Sequence, residues 1–491
     1  MLLKDLMKGI KLNNNIDAFL DVDINKICID SNKVQEGDIF ICINGSKENG
    51  TKYYMNALEK GASFIVTEEN LDIKNQIIVD STREVFALLC KNYYKSCCDK
   101  MKIVGITGTN GKTTTSYIIY QILKNYGKKV GIIGTLGIKF DDIEYENPWT
   151  TPDPDLLHEI FEKMYKRDIE YVIMEVSAHA IEQKKIEGIK FEIGVLTNIT
   201  QDHLDYFKNM DNYANTKLSF FDKKHIKLGV LNSDDNYSRK IINAEKLPVL
   251  SYGIDNPCDV FAIDMQTQMK GSKFTCNLLD NIYDVETNLV GEYNIQNILA
   301  SMTVCSVLGV GYESMLETLS KIKPIEGRFN VITFKGINIV IDFAHTPDGI
   351  EKLLLTAKFV TEGKFYCVFG CGGNRDKDKR PKMGKITENI CDFVCVTSDN
   401  PRYENPLSII SDIEKGMEKD NHIIEPLRYE AIKKIFLKCR RGDTLVIAGK
   451  GGERYQEING VKENYNDYDA IVKCIKEIFK CEFSLENVYG Y

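Results

Sequence analysis

No stretch of this chain reaches the ~18 consecutive apolar residues that a membrane-spanning helix needs. The start, MLLKDLMKGIKLNNN, has no long apolar core and no small-residue cleavage site, so it does not read as a signal peptide. A cytoplasmic protein with no membrane partner is the expectation. Basic charge is not in excess either. The formal net charge is −8, which argues against nucleic-acid binding, because that normally needs a basic face. The guanine-binding signature Asn-Lys-x-Asp is missing, as are internal repeats and low-complexity tracts. Among 15 cysteines no Cys-x2-Cys pair occurs, and the odd number speaks against a disulfide framework or a zinc site. Cys367/Cys371 and Cys391/Cys395 fall in strand-like runs, where residues i and i+4 share a face, so buried free thiols are expected.

What is present describes an ordinary globular chain, 43% hydrophobic and 27% charged. Its 491 residues suggest about three domains. Short apolar runs alternate with amphipathic ones. DIFICI, ASFIVTEE and NQIIVD are strand candidates in a first, small α/β unit, residues 1–100. A second series, KIVGIT, KVGIIGT, YVIMEVS, IGVLTNI and KLGVLNSDD, reads as buried parallel strands of a central, P-loop-type doubly wound domain, residues 101–326. After KPIEGRFN, a plausible hinge, INIVIDFAH, FYCVFGCGG, FVCVTSDN and TLVIAGKGG imply a C-terminal Rossmann-like α/β domain, residues 327–491. Ligands in such folds bind beyond the carboxyl ends of the strands, so residues just after each strand are the candidates.

The run KIVGITGTNGKTTTSY is a strand, a glycine turn and a helix start. It fails the Walker A spacing, because Ile106 stands where the first glycine belongs. The chemistry survives the misfit. Gly108 and Gly111 allow close backbone approach, N–H groups at a helix start bind phosphate, Lys112 can neutralise it, and Thr113 or Thr114 offers Mg²⁺ a hydroxyl. Glu175, ending a strand, could complete a Mg²⁺ shell or could be a solvated strand-end acid. TNITQDHLDYF adds Asn198, Asp202, His203 and Asp205; of six histidines, His179, His203 and His345 fall in strand-end clusters. Tyr213, Lys217 and Phe220 share a helical face. Physical chemistry alone favours a Lys217 ammonium that snorkels outward over neutralisation or carbamate formation.

GTNGKTTT, EVSAHA, TNITQDHLDYF, YANTK, EYNIQN, GRFN and DFAHTPD, in this order over almost the entire chain, resemble the Mur ligase family, the ATP-dependent amino-acid ligases of peptidoglycan assembly. The resemblance implies that Gly108, Thr109, Asn110, Gly111, Lys112, Thr113 and Thr114 cradle ATP. It places Asn294 and Asn297 near the adenine, with Arg328 and Asp342 reaching the nucleotide from the third domain. It implies Mg²⁺ held through Thr113 and Glu175, and a second Mg²⁺ held by His203 and a carbamate formed on Lys217 from carbon dioxide. That reverses the snorkelling expectation. Lys112, Glu175, His203 and Lys217 thus become the candidate catalytic residues. Ser31, Ser46, Lys47 and Glu48 match contacts on the uridine side of a UDP-muramoyl peptide, which the first domain would bind. Thr150, Thr151, Ser177, Gln183 and Lys185 match contacts to its muramoyl peptide. Lys185, Ala178 and Gly452 depart from the residues usual in the family.

The incoming amino acid has its own signal. Arg402 in SDNPRYE offers a planar fork for a carboxylate, Pro401 stiffens the strand exit before it, and CGGNRDKDKRPKMG supplies Arg375 upstream while AGKGGERYQ supplies Gly449 and Glu453 downstream. Two arginines with a glutamate suit a zwitterion that carries an extra carboxylate. Asp399-Asn400-Pro401-Arg402 is similar to the family's motif for meso-diaminopimelate, with Arg375, Gly449 and Glu453 on its other contacts. The resemblance therefore implies ATP-driven addition of meso-diaminopimelate to UDP-N-acetylmuramoyl-L-alanyl-D-glutamate (UDP-MurNAc-L-Ala-D-Glu) through an acyl phosphate. The substrates are small molecules, with no nucleic acid, and a monomer is expected. A lysine-adding ligase, a folylpolyglutamate-type synthase and a non-catalytic nucleotide-binding regulator are the alternatives.

Overall fold

A computed structural model describes residues 1–45, 48–147 and 149–481. Ser46 and Lys47 therefore lie outside the described residues. The first sheet has four short strands, β1 (Ile27–Cys28), β2 (Ile39–Ile41), β3 (Phe64–Thr67) and β4 (Gln76–Ile78). They pair in sequence order and in parallel.

The second sheet contains β5 (Lys102–Thr107), β6 (Val130–Gly134), β7 (Gly137–Phe140), β8 (Ile143–Tyr145), β9 (Tyr171–Glu175), β10 (Phe191–Leu196), β11 (Ile226–Asn232), β12 (Val249–Gly253), β13 (Val260–Gln268), β14 (Gly271–Leu278) and β15 (Asn281–Thr287). Their order is β15-β14-β13-β12-β11-β10-β5-β9-β6-β7-β8. The parallel centre matches the β-branched runs of the sequence. Ile103, Val104 and Ile106 of β5 are wholly buried, each contributing about 1.5–3 kcal/mol by leaving water. Both edges differ from a purely parallel sheet. β7 and β8 extend one side antiparallel, and β13, β14 and β15 form an antiparallel meander on the other. These edge strands alternate exposed and buried residues, as a sheet with one wet face does.

The third sheet runs β16-β17-β21-β18-β19-β20, with β16 (Asn330–Phe334), β17 (Ile337–Asp342), β18 (Phe365–Phe369), β19 (Phe393–Val396), β20 (His422–Ile424) and β21 (Thr444–Ala448). Only β16 pairs antiparallel, and a hairpin of β22 (Tyr455–Ile458) and β23 (Val461–Asn464) follows. All 15 cysteines are free, and all but Cys258 and Cys481 are buried. The strand placement of the spaced pairs needs correction. Cys367 and Cys395 lie in β18 and β19, whereas Cys371 and Cys391 lie just outside them. No helix among the described residues is long and apolar enough to cross a membrane.

The topology positions the site. β5 is flanked by β9 on one side and β10 on the other, so the loop after Thr107 opens between two neighbouring strand exits. Ile106 pairs with Glu175 and Thr107 with Leu196, which puts Glu175 and Asn198 beside that loop.

Candidate active site

A cleft of about 850 Å³ lies where the carboxyl ends of the second and third sheets face each other. On one wall the helix Lys112–Asn125 begins directly after the glycine turn, with no side chain capping its first N–H groups. Such an uncapped start leaves N–H groups free to meet an anion. Gly111 has φ +86°, and an added Cβ would stand 2.4 Å from Asn297 Oδ1, so only glycine fits there. Lys112 Nζ donates to the carbonyls of Gly108 and Thr109, each at 2.9 Å. Thr113, Thr114, Thr109 and Asn110 line the cleft; Gly108 does not, though its carbonyl accepts from Lys112 and Lys217, which do.

Lys217 overturns the snorkelling expectation. It is 1% exposed and donates to the Gly108 carbonyl at 2.8 Å. The helix Met210–Leu218 aims it inward over the Tyr213 ring, 4.9 Å away, while Phe220 lies buried beyond the helix end. Burial, with Lys112 nearby, pushes the Lys217 amine well below its ordinary pKa; burial lowers Lys112 as well. Glu175 is likewise no solvated acid, being 1% exposed. It accepts from Thr113 Oγ1 (3.1 Å), Thr135 Oγ1 (3.2 Å) and the Thr135 N–H (2.9 Å).

Burial holds the imidazoles of His179, His203 and His345 below their ordinary range, His203 at about 3, so all three are neutral near pH 7. Neutral imidazole is the metal-binding form. His203 stacks edge-on against His179 at 4.9 Å and stands 3.4 Å from Asp202. Burial raises the Asp202 carboxyl, but Lys379 (3.7 Å), His203 and His345 (3.8 Å) outweigh it and hold it well below the carboxylate range. No cluster of three His, Cys, Asp or Glu suited to a metal occurs among the described residues.

Asn297 Nδ2 donates to Asn294 Oδ1 at 3.2 Å, behind the glycine turn. Arg328 lies 4.3 Å over the Phe343 ring, and Asp342 accepts from the Phe329 and Ala344 N–H groups, each at 2.7 Å. Burial lowers the Arg328 pKa and raises that of Asp342. Thr151 donates to the Glu175 carbonyl (2.9 Å) and accepts the Ser177 N–H (3.0 Å). Thr150, Gln183 and Lys185 border the cleft beside them, Lys185 paired with Asp153 at 2.7 Å.

The opposite wall comes from the exits of β18, β19 and β21, three adjacent parallel strands. Arg402 Nη1 donates to the Gly373 carbonyl (2.8 Å) and Nε pairs with Glu457 (3.2 Å), which fixes the plane of the guanidinium. Among the described residues Arg375 bonds only its neighbour's carbonyl, at 3.4 Å, and it borders the cleft. Asn400 donates to Glu453 Oε2 at 2.9 Å, and the wholly buried Lys450 bonds both, each at 3.0 Å. Burial raises the Glu453 pKa against the pull of Lys450. Gly449 has φ +114° and leaves no room for a Cβ, which would sit 2.6 Å from Asp399 Oδ2.

Sequence reasoning passed over several residues here. Arg380, wholly buried, donates to Glu404 (3.0 Å), Asp412 (3.0 Å) and the Gly372 carbonyl (3.3 Å). Glu404 also accepts the Asn374 N–H, so one ion pair joins the loops that carry Arg375 and Arg402. Asn110 donates to Asp348 (2.8 Å) and Gln201 to Asp376 (3.0 Å), tying the two walls together. Not every expected residue reaches the cleft. Pro401 does not line it; Ser31 is buried against Asn56, and Glu48 accepts from Tyr53, both away from it.

Comparison with known proteins agrees with this arrangement. The family description "Mur ligase middle domain" matches residues 106–305, "Mur ligase, glutamate ligase domain" residues 327–451, and "Mur ligase family, catalytic domain" residues 23–94. The UDP-N-acetylmuramoyl-L-alanyl-D-glutamate–2,6-diaminopimelate ligase of Clostridium tetani is 37% identical over 98% of this chain and 100% of its own. Its counterpart in Clostridium perfringens is 38% identical over 96% and 99%. A solved structure of a ligase of that name superimposes with TM-score 0.70, at 28% identity, over 97% of this chain and 99% of that one. By sequence and by fold, the chain belongs to the Mur ligase family.

Proposed function

We propose that this ligase uses ATP to join meso-diaminopimelate to the D-glutamate of UDP-MurNAc-L-Ala-D-Glu, releasing ADP and phosphate. The observation that carries the reading is the pinned Arg402 beside Arg375, Asn400 and Glu453, directly across one cleft from an uncapped phosphate-binding helix start. The names of the relatives point the same way.

The residues present fit Mg²⁺ and a lysine carbamate. Thr113 and Glu175 offer hard oxygen donors to one ion, and neutral His203 can join a Lys217 carbamate on a second. A shell without three protein carboxylates suits an ion that keeps waters and phosphate oxygens. Carbon dioxide adds only to a neutral amine, and burial shifts Lys217 towards that form. A carbamate there would keep one N–H for the Gly108 carbonyl, with Lys112, which bonds the same carbonyl, beside it to offset its charge. Bound Mg²⁺ would offset the charge of phosphates and carboxylate brought together.

The protein mostly positions the reactants. A substrate carboxylate oxygen bonds the γ-phosphorus as the bond to ADP breaks, giving an acyl phosphate. The diaminopimelate amine then attacks that carbonyl, loses its proton, and phosphate leaves. Lys112 and the helix N–H groups stabilise the transferring phosphoryl group. The Asn110–Asp348 and Gln201–Asp376 bonds hold the walls closed, which keeps water from the acyl phosphate. Thr150, Thr151, Ser177, Gln183 and Lys185 hold the muramoyl peptide. The division at residues 100 and 326 into uridine-side, ATP and amino-acid domains belongs to the same proposal, as does action as a monomer in the cytoplasm.

Phosphate release in the presence of ATP, Mg²⁺ and UDP-MurNAc-L-Ala-D-Glu tests the reading. Release should depend on diaminopimelate. Release with lysine instead would reassign the amino acid, and no release with either would remove the ligase assignment.

A further inference from the structure

Trp149 is the sole tryptophan of the chain, and it stands 60% exposed while bordering the active-site cleft. A lone exposed apolar residue needs no explanation on an open surface. This one is held from both sides. Its N–H donates to Asn147 Oδ1 at 3.4 Å, and Asn147 Nδ2 donates to the carbonyl of Gly134, the last residue of β6, at 3.3 Å. The two residues after it are pinned as well. The Thr150 and Thr135 hydroxyls bond at 3.2 Å, and Thr151 donates to the Glu175 carbonyl at 2.9 Å. The Lys185 ammonium, paired with Asp153 at 2.7 Å, lies over the indole, 5.8 Å from its centroid and within cation–π reach.

A chain of hydrogen bonds sets the distance of the indole from the phosphate end. Thr113, in the first turn of the helix Lys112–Asn125, bonds Glu175; Glu175 bonds Thr135; Thr135 bonds Thr150, which adjoins Trp149. The indole thus lies two hydrogen bonds and one residue beyond Glu175, a reach on the order of 10 Å. The D-glutamyl carboxylate must meet the transferring phosphoryl group near Glu175. An extended D-Glu-L-Ala pair spans about 7 Å, so with the lactyl ether that follows it delivers the muramoyl sugar to the indole. The chair of that sugar turns C–H bonds to its two faces. Such a face is apolar and slightly positive, which suits the negative face of an aromatic ring.

We infer that Trp149 binds substrate, its indole packing flat on a C–H face of the N-acetylmuramoyl ring. The inference rests on the ligase reading above and deepens it. Thr150, Thr151, Ser177, Gln183 and Lys185 offer polar contacts but no flat apolar surface. Trp149 supplies that surface, and its pinned backbone and two side-chain torsions keep the entropy cost of ordering it low. The indole touches no reacting atom, so it acts on binding and not on the chemical step. Trp149 is a specificity residue for a sugar-bearing substrate.

With no second tryptophan, the intrinsic tryptophan emission of the full chain reports this position alone. Emission is recorded with UDP, UDP-MurNAc and UDP-MurNAc-L-Ala-D-Glu, each at a concentration that calorimetry shows to be saturating. Both muramoyl ligands should shift the emission, and UDP should not. A shift with UDP would put the indole on the uracil, and a shift only with the peptide-bearing ligand would put it on the peptide. Either result, or no shift despite measured binding, would overturn the inference. Trp149→Leu should raise KM for UDP-MurNAc-L-Ala-D-Glu about tenfold, with kcat and KM for ATP within about twofold of wild type. Trp149→Phe, which keeps an aromatic face, should recover most of the loss. An unchanged KM for the muramoyl substrate, or an equal rise in KM for ATP, would also overturn it. Failure of the ligase reading looks different: calorimetry then records no binding of either muramoyl ligand, and both readings fall.

Discussion

Replacing Arg402 tests how the cleft recognises its amino acid. The guanidinium already spends Nη1 on the Gly373 carbonyl and Nε on Glu457, so its plane is set before substrate arrives. Its remaining N–H groups can meet the second carboxylate of diaminopimelate as a fork. Two charge-assisted hydrogen bonds at about 1.5–3 kcal/mol each give about 3–6 kcal/mol. At about 1.4 kcal/mol per tenfold, Arg402→Ala should cut kcat/KM for diaminopimelate by about 10²–10⁴. Turnover with lysine, which has no second carboxylate, should change far less, so the ratio of the two amino acids collapses. Arg402→Lys keeps the charge and loses the fork, and should recover only part. The backbone supplies a control. Arg402 sits at φ +53°, where a side chain is strained by about 1–2 kcal/mol. Arg402→Gly removes the same side-chain bonds as Arg402→Ala but relieves that strain, so it should melt higher than Arg402→Ala while losing diaminopimelate use to the same extent. Steady-state phosphate release with each amino acid, beside thermal melts, reads all of this. Diaminopimelate turnover within a few-fold of wild type in Arg402→Ala, or an equal fall for both amino acids, would refute the assignment.

Other consequences follow from buried charge. Burial holds Lys217 below its ordinary pKa of 10.5, so as pH falls below 10.5 the unfolded chain takes up the proton first and stability declines until the folded pKa is reached. In carbon-dioxide-free buffer, wild type should therefore gain on Lys217→Met as pH rises towards 10.5, by up to about 1.4 kcal/mol per pH unit. Denaturant titrations across that range that stay parallel for the two proteins would contradict a buried amine. Lys217→Ala should be inactive and partly rescued by a small carboxylate that takes the carbamate's place; a rescue by chloride alone would point elsewhere. Arg380→Met should raise KM for diaminopimelate about tenfold or more and leave KM for ATP unchanged, because Arg380 joins the Arg375 and Arg402 loops. An equal rise in both constants would make Arg380 only a stability residue.

The run at residues 102–117 folds as the strand, glycine turn and helix start that residue type and order alone implied. The parallel strands were legible because burial on both faces leaves unbroken β-branched runs. Glu175 was legible as a strand-end acid but not as a buried one, since only the register of β9 against β5 shows that Thr113 and Thr135 enclose it. Lys217 was misjudged by physical chemistry for a similar reason. A helical face can be read from spacing, but what lies opposite that face cannot, and here it is the Gly108 carbonyl from a distant turn. The Asn110–Asp348 tie and the Arg380–Glu404–Asp412 network join residues whose separation follows no periodicity. Edge strands β13–β15 escaped notice because their polar faces dilute the hydrophobic signal.

The most direct test of the central claim is the product itself. The chain is incubated with ATP, Mg²⁺, UDP-MurNAc-L-Ala-D-Glu and equal concentrations of meso-diaminopimelate and L-lysine, and the UDP-linked product is weighed by mass spectrometry. The account predicts a tripeptide carrying diaminopimelate, formed with one ADP per bond. A product carrying lysine, or an unextended dipeptide despite ATP consumption, would contradict it.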